Sequence, residues 1–157
     1  MSKRHPSARP HILVVSDDPG LSSFLAEGLV MTGFWTSAIA SAFQALEVFR
    51  LRTFDLVLMD AALGGPGAVE TIRRLRGTSD RAPDSPRTGI PILLVAGSAG
   101  EITPEDAAAA GADHLLLAPL DLDNLAPLLL DTVLDWRDAN PAVPWADAAN
   151  LAAKEPH

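Results

Sequence analysis

Five short apolar runs, each followed by a segment with helical spacing, constrain the fold of this chain more than any other feature. The runs cover residues 11–15, 34–39, 54–59, 90–95 and 114–117. Continuous apolar runs of this length are typical of strands that are buried on both faces of a sheet. A strand–helix unit repeated five times with short connections predicts an α/β fold, in which helices cover both faces of a five-stranded parallel sheet.

Pro127 sets the predicted start of the last helix. Proline is tolerated in a helix mainly within the first turn, because it lacks an N–H and its ring clashes with the preceding turn. We therefore expect this helix to begin late, with Asp123 or Asn124 as its cap, and to run to about Trp136.

The limits of the patterned region divide the chain into three parts. Residues 1–10 are polar and contain two prolines, so they are predicted to be a flexible leader. Residues 11–136 form the predicted domain. Residues 137–157 are rich in Ala and Pro, with one short helix expected at 145–154, and are either a linker or a tail that folds back. Trp136 and Trp145 favour docking, because free tails seldom carry large aromatic side chains.

The charge and the composition exclude several classes of function. The formal net charge of the chain is −8, and lysine occurs only at Lys3 and Lys154. Proteins that bind nucleic acid need clustered cations for the phosphates, so we expect no nucleic-acid partner. The absence of Cys from the sequence excludes disulfides and thiolate metal sites. No apolar run approaches the length of a membrane span, so we expect no membrane contact and a cytoplasmic location.

The third apolar run ends at an acid, Asp60, and a glycine-rich turn at residues 64–67 follows it. In an open parallel sheet, ligands bind beyond the carboxyl ends of the strands. An Asp at this point is therefore either a turn-forming residue or a reactive group. The residues at the other strand ends decide between these two interpretations.

Three motifs at predicted strand ends make the sequence resemble the receiver domain of two-component response regulators. ILVVSDDP at residues 12–19 resembles the family's apolar strand followed by Asp-Asp-Glu-Pro. DAALGG at residues 60–65 resembles its phospho-acceptor stretch, Asp-x-x-Leu-Pro-Gly. AGAD at residues 110–113, with Pro119 after it, resembles the family's Ala-Gly-Ala-Asp and the Pro that follows its Lys. The resemblance extends from Ile12 to about Trp136. It implies the flavodoxin-like receiver fold, a doubly wound sheet with strand order 2-1-3-4-5.

In that family the acceptor Asp attacks a phosphoryl group and becomes an acyl phosphate. A divalent cation neutralises charge between this Asp, the phosphate and an acidic pair, while a Thr or Ser hydroxyl and a Lys hold the phosphoryl oxygens. The resemblance assigns the acceptor position to Asp60. It assigns the metal ligands to Asp17, Asp60 and the backbone carbonyl of Ala62, with Asp18 nearby. Mg²⁺ usually needs only one or two carboxylates plus water, so a weak Mg²⁺ site is the one cofactor expected.

Four positions depart from the family pattern. Ser16 stands in the place of the first acid, Ala96 in that of the Thr or Ser, and Ala118 in that of the Lys. Leu115 stands in the place of the aromatic switch residue. A phosphoryl group on Asp60 would therefore lack a cation and a hydroxyl donor. Charge-assisted bonds of this kind contribute roughly 1.5–3 kcal/mol each.

No other residue replaces these groups well. Both lysines lie in the terminal segments, and Ser98, a candidate hydroxyl donor, comes two residues too late. Gly64 replaces the loop Pro of the family. Ser16 in place of an acid also reduces like-charge repulsion, so the empty pocket depends less on a cation.

These departures favour a degenerate receiver (a pseudo-receiver). Such a protein would be an interaction module in phosphorelay signalling that does not depend on phosphorylation and is not an enzyme. The alternative is a working receiver that a histidine kinase phosphorylates on Asp60. A third interpretation is a flavodoxin-like domain that binds a small ligand at the strand ends, although the glycine turn is a poor nucleotide cradle.

By analogy with the family, we expect a protein partner, either a histidine kinase or another signalling protein. Its contact surface would be the face formed by the fourth helix, the fifth strand and the fifth helix. A homodimer is a further expectation.

Overall fold

The computed structural model describes residues 8–154 of the chain. Residues 1–7 of the predicted leader and residues 155–157 of the predicted tail lie outside the described residues. Within the described part, none of the helices combines the length and the apolar character that a membrane span requires.

Strands and helices alternate from His11 to Ala139, as the apolar runs predicted, and one more helix follows. The elements are β1 His11–Val15, α1 Pro19–Met31, β2 Trp35–Ile39, α2 Ala42–Leu51, β3 Leu56–Asp60, α3 Ala68–Arg76, β4 Ile92–Ala96, α4 Pro104–Ala110, β5 His114–Leu117, α5 Leu122–Ala139 and α6 Ala146–Lys154. All strand pairs are parallel, and the strand order is β2-β1-β3-β4-β5. The predicted α/β fold class and the strand order 2-1-3-4-5 are confirmed.

The core has one layer on each face of the sheet. Side chains alternate along the strands, so Leu13 and Val57 lie in one layer whereas Ile12 and Leu56 lie in the other. Helices α2, α3 and α4 contribute to the first layer, and α1 and α5 contribute to the second. Every residue of β1, β3 and β4 is buried, which explains why these strands appear in the sequence as unbroken apolar runs.

Three strands differ slightly from their predicted bounds, and β2 begins one residue late, at Trp35. β3 spans Leu56–Asp60 rather than 54–59, and β4 spans Ile92–Ala96 rather than 90–95. Buried apolar residues also precede both strands, so hydrophobicity alone extended the prediction too far towards the N-terminus. As a result, Asp60 belongs to the sheet itself, where it pairs with Val95 of β4.

The register of the sheet brings the carboxyl ends of the strands together. Val15 at the end of β1 pairs with Met59, next to Asp60. Ser16 follows β1 directly, and its N–H donates to the carbonyl of Ile39 at the end of β2. We call this end of the sheet the carboxyl edge and the opposite end the amino edge.

The predicted start of α5 is wrong. The helix begins at Leu122, capped by Asp121, and Pro127 lies inside it on the exposed side. A proline inside a helix costs about 3 kcal/mol. Leu125 and Leu129 are buried on the sheet, and burial of each such side chain contributes about 1.5–3 kcal/mol. Packing of the apolar stripe therefore offsets the cost of the proline. The helix also continues to Ala139, beyond the predicted end.

The described part of the predicted tail packs against the amino edge of the sheet. Asn150 binds the backbone of Thr53 twice: its Oδ1 accepts from the N–H at 3.0 Å, and its Nδ2 donates to the carbonyl at 3.0 Å. Ala146 is completely buried, and Trp145 packs against the core layer that contains α1 and α5. This part of the chain thus contacts the domain at the end of the sheet opposite Asp60.

Asp55 joins the tail to the sheet. Its carboxylate accepts hydrogen bonds from the N–H groups of His11 at 2.8 Å and Ala146 at 3.0 Å. Arg137 contacts the same carboxylate at 3.5 Å, and its guanidinium carbon lies 4.1 Å from the ring centroid of Trp145. Burial raises the pKa of the Asp55 carboxyl, and its N–H donors and Arg137 oppose that rise. A buried acid therefore links β1, α5 and α6.

We expect Asp55→Ala to lower the free energy of unfolding by about 3 kcal/mol, because the substitution leaves buried N–H groups and a guanidinium without their acceptor. Urea denaturation measures this loss. Asp147→Ala, at an exposed acid of α6, is the matched control and should change the stability little. Equal effects of the two substitutions would show that Asp55 does not tie the tail to the domain.

Candidate functional site

Asp60 lies at the carboxyl edge with 8% of its surface exposed. Its Oδ2 accepts a hydrogen bond from the Ser16 hydroxyl at 2.9 Å. Its Oδ1 accepts from the N–H of Ala62 at 2.9 Å. Both carboxylate oxygens are therefore hydrogen-bonded within the chain, which satisfies a group that would otherwise be costly to bury.

Ser16 supplies a hydrogen-bond donor at the position where the family that the sequence resembles has an acid. Its side chain is buried, and its Oγ accepts from the N–H of Asp18 at 3.1 Å while the hydroxyl donates to Asp60. A carboxylate in this position would repel the carboxylate of Asp60. The hydroxyl thus replaces a repulsive contact with an attractive one.

Backbone N–H groups engage the other two acids of the edge. Asp17 is exposed, and its Oδ2 accepts from the N–H of Gly64 at 3.1 Å. Gly64 stands where the resembling family has Pro, which has no N–H to donate, so this replacement creates the donor. Asp18 is the cap of α1, and its Oδ1 accepts from the N–H groups of Gly20 at 2.9 Å and Leu21 at 3.4 Å.

Beyond β4, the backbone binds an acid of the same loop. Ala96 ends β4 with a buried methyl group. The next two residues, Gly97 and Ser98, donate their N–H groups to Oε2 of Glu101 at 2.7 and 3.3 Å. The side chain of Ser98 is exposed. A carboxylate from within the loop therefore occupies the donors at this strand end.

Beyond β5, the side chains are apolar. The N–H of Ala118 donates to the carbonyl of Ala96 at 2.8 Å, so the two alanines lie side by side at the carboxyl edge. Leu115 is partly buried and packs against the core layer of α2, α3 and α4. Neither an ammonium nor a hydroxyl group is therefore present at positions 96 and 118.

The donor set suits a weakly held divalent cation. Within residues 8–154, no three His, Asp or Glu side chains form a group that could hold a metal ion. Asp17 and Asp60 offer carboxylates at neighbouring strand ends, and each already accepts a hydrogen bond from an N–H group. Mg²⁺ is commonly bound by one or two carboxylates with water in the remaining positions. A cation here would compete with these existing hydrogen bonds.

Sequence reasoning identified the residues at the strand ends but missed Glu101. The only sequence feature that could have indicated the contact of Glu101 is its position in a short loop, four residues after Gly97. Acids in loops are too common to indicate such a contact. The bonds of Ser16 to Asp60 and of Gly64 to Asp17 were also absent from the prediction, because they join residues far apart in the chain.

Comparison with known proteins agrees with the fold. The family model "Response regulator receiver domain" matches residues 12–129. The chain is 33% identical over 111 residues to the DNA-binding response regulator MtrA of Mycolicibacterium smegmatis, covering 71% of this chain and 45% of that protein. It is 30% identical over 140 residues to the transcriptional regulatory protein ZraR of Salmonella typhimurium, covering 89% of this chain and 30% of that protein. The chain thus spans less than half the length of these relatives.

A solved structure gives the same result for the fold. The receiver domain of the sensor histidine kinase PA1611 from Pseudomonas aeruginosa superimposes with a TM-score of 0.67 at 22% sequence identity. The match covers 80% of this chain and 98% of that domain, which holds a magnesium ion in its active-site cleft. Together with the confirmed strand order and the position of Asp60, the matched family model shows that the chain belongs to the response regulator receiver domain family of two-component signalling.

Proposed function

We propose that this chain is an atypical receiver domain that acts in phosphorelay signalling as a protein-interaction module, without depending on phosphorylation of Asp60. Receiver domains in general are signalling modules that interact with histidine kinases and other proteins, rather than enzymes. The observation that carries the proposal is the Asp60 carboxylate, whose two oxygens are both hydrogen-bonded to groups of the chain itself.

The groups that would stabilise a phosphoryl group are missing at the same edge. Ala96 and Ala118 lie side by side where the family resemblance implies a hydroxyl and an ammonium group. Each charge-assisted hydrogen bond that is lost removes roughly 1.5–3 kcal/mol from the modified state. An acyl phosphate on Asp60 would therefore form few hydrogen bonds that could fix the conformation of the surrounding loops.

In the unmodified state, the acids of the carboxyl edge already accept hydrogen bonds from groups of the chain. Ser16 donates to Asp60, and Gly64 donates to Asp17. Both bonds depend on residues that replace the family's usual acid and proline. These replacements stabilise the edge in the absence of a cation, which supports a module that keeps one conformation.

Mg²⁺ remains a weak ligand in this proposal. Asp17, Asp60 and the backbone carbonyl of Ala62 would hold it. When bound, the cation would neutralise charge beside the acceptor carboxylate.

A working receiver, phosphorylated on Asp60 by a histidine kinase, is the second candidate. Asp60 is retained at the end of β3, and Asp17 lies at the same edge. Two relatives, the DNA-binding response regulator MtrA and the transcriptional regulatory protein ZraR, are regulators, which supports a signalling role for this chain. The first experiment below distinguishes the two candidates.

The proposed partner surface is formed by α4, β5 and α5. Leu117 of β5 is 55% exposed, and a groove of about 240 Å³ runs between β5 and α5. Apolar residues such as Leu116 and Leu128 line this groove. The surface suits a histidine kinase, another signalling protein or a second copy of the chain. With a net charge of −8, the chain itself is proposed to contact protein in the cytoplasm rather than nucleic acid.

With Mg²⁺ and beryllofluoride, we expect the native chain to form no saturable adduct at Asp60, because the carboxylate is engaged and the cationic partner is absent. Amide chemical shifts around residue 60 measure this, with Asp60→Asn as the control. Native and variant spectra should respond alike. A saturable change that Asp60→Asn abolishes would refute the pseudo-receiver proposal and establish the working receiver.

Ala118→Lys should produce a saturable beryllofluoride adduct at Asp60 that the native chain does not form, since a charge-assisted hydrogen bond of about 1.5–3 kcal/mol is added at the carboxyl edge. Position 118 is partly exposed, which leaves room for the longer side chain. Ala108→Lys, at an exposed position of α4, adds the same charge elsewhere and serves as the control. Equal responses of the two variants would contradict the assignment of position 118.

Ser16→Asp should strengthen Mg²⁺ binding by about tenfold, because a third carboxylate joins Asp17 and Asp60. The same substitution should lower the stability of the metal-free chain, because it replaces a hydrogen bond to Asp60 with repulsion. Mg²⁺ titration followed by amide shifts, together with thermal unfolding with and without Mg²⁺, measures both effects. Ser23→Asp on the exposed side of α1 is the control. An unchanged Mg²⁺ affinity in Ser16→Asp would show that these residues are not the metal ligands.

A further inference from the structure

A cavity of about 440 Å³ lies at the amino edge, at the end of the sheet opposite Asp60. Its walls come from two parts of the chain that are far apart in the sequence. His11 and Trp35, the first residues of β1 and β2, belong to the sheet, whereas Asn150 and Leu151 belong to α6. Cavities of roughly 300–1,000 Å³ are typical of small-molecule sites. The docked tail and the sheet therefore form a concave site that is separate from the carboxyl edge.

Two large apolar side chains line this cavity and remain exposed. Trp35 has 45% of its surface exposed, and Leu151 has 63%. One comes from the edge strand β2 and the other from α6. Exposed apolar side chains that meet at one cavity often mark a ligand-binding surface. They offer a contact for an apolar group of a ligand.

Three polar side chains of the cavity already have partners within the chain. The amide group of Asn150 binds the backbone of the sheet, as described above. The hydroxyl of Thr36 donates to the carbonyl of Ala26 at 3.0 Å. Nε2 of His11 lies 2.8 Å from the hydroxyl oxygen of Ser37. These contacts hold the walls of the cavity in place and leave the charged side chains to meet a ligand.

Arg52 and Asp147 line the same cavity with opposite charges. None of the ion pairs formed within residues 8–154 involves Arg52. Its Nε is one of two buried side-chain atoms in this part of the chain that have no hydrogen-bond partner. Its Nη2 lies 3.4 Å from Nδ1 of His11, which is long for a hydrogen bond. The guanidinium group therefore lacks acceptors, and a buried donor without an acceptor is costly.

His11 does not add a charge to the cavity at neutral pH. Burial lowers the pKa of its imidazole, and the charge of Arg52 lowers it further, whereas Asp147 opposes this shift. An imidazole with a lowered pKa is neutral near pH 7. The charged groups of the cavity lining are then one guanidinium and one carboxylate.

From this arrangement we infer that the amino-edge cavity binds a small zwitterion of the α-amino acid class with an apolar side chain. The ligand carboxylate accepts hydrogen bonds from Arg52, because the planar fork of a guanidinium matches a carboxylate. The ligand ammonium group contacts Asp147, and the apolar side chain packs against Trp35 and Leu151. The inference goes beyond the proposed function and does not depend on Asp60.

Such a ligand connects the tail to the domain. Arg52 follows α2 in the domain, whereas Asp147 lies in the first turn of α6. A molecule that binds both residues stabilises the docked arrangement of α6, because it binds this arrangement better than an undocked one. The position of the tail thereby becomes sensitive to the concentration of the ligand.

The test is a titration of the full-length chain with L-leucine, followed by the indole N–H shift of Trp35 and the amide shifts of α6. We expect a saturable change. Isocaproate lacks the amino group of leucine, and isoamylamine lacks its carboxylate. Each analogue should bind about tenfold or more weakly than leucine, because one charge-assisted contact is lost. No saturable change with leucine, or equal binding of leucine and either analogue, would overturn the inference.

Arg52→Gln and Asp147→Asn should each weaken leucine binding by about tenfold, because each substitution removes one charged partner. Arg73→Gln in α3 and Asp106→Asn in α4 are the matched controls, since both residues are exposed and the charge changes are the same. The controls should bind leucine as the native chain does. Asp147 is exposed, so Asp147→Asn decides the question even if Arg52→Gln fails to fold. Equal affinities of Asp147→Asn and Asp106→Asn would refute the assignment.

Discussion

The burial of β3 on both faces is the constraint on which the rest of the structure depends. All five of its residues are buried, and an acid lies near each end, Asp55 before the strand and Asp60 as its last residue. A buried carboxylate must find hydrogen-bond donors, because an unpaired charge in the core is costly. Asp55 finds them in His11, Ala146 and Arg137. This need ties α5 and α6 to the amino edge of the sheet.

At the carboxyl edge, the acids also need hydrogen-bond donors, and there the donors come from neighbouring loops. Receiver domains use this edge for a phosphoryl group and a cation, and both of these ligands come from outside the chain. Here the carboxylates and the backbone N–H groups that would meet such ligands already have partners within the chain. Ser16 bonds to Asp60, Gly64 bonds to Asp17, and the loop after β4 bonds to Glu101. A site that is satisfied in this way gains less from external ligands, since each must displace an existing bond.

The proposed function requires the receiver fold to present a constant interaction surface. The apolar layers that position the carboxyl edge are the same layers that position α4, β5 and α5. Under the proposed function, internal hydrogen bonds hold the loops of the edge, and the neighbouring face would keep one arrangement. A two-state switch requires a ligand that binds one state better than the other. Under the proposed function, the replacements at positions 16, 96 and 118 would reduce that difference.

The amino-acid order alone was enough for the fold class, the strand order implied by the family, and the identity of the residues at each strand end. These follow from local periodicity and from motifs, which depend on neighbours in the chain. Only the tertiary structure showed that α5 continues through Pro127 and that Asn150 contacts Thr53. It also showed that Glu101 accepts hydrogen bonds from Gly97 and Ser98. Each of these outcomes depends on packing or on hydrogen bonds whose geometry exists only after the elements have assembled. Tertiary burial outweighed a local propensity in α5, and at the carboxyl edge the register of the sheet decided which acid met which donor.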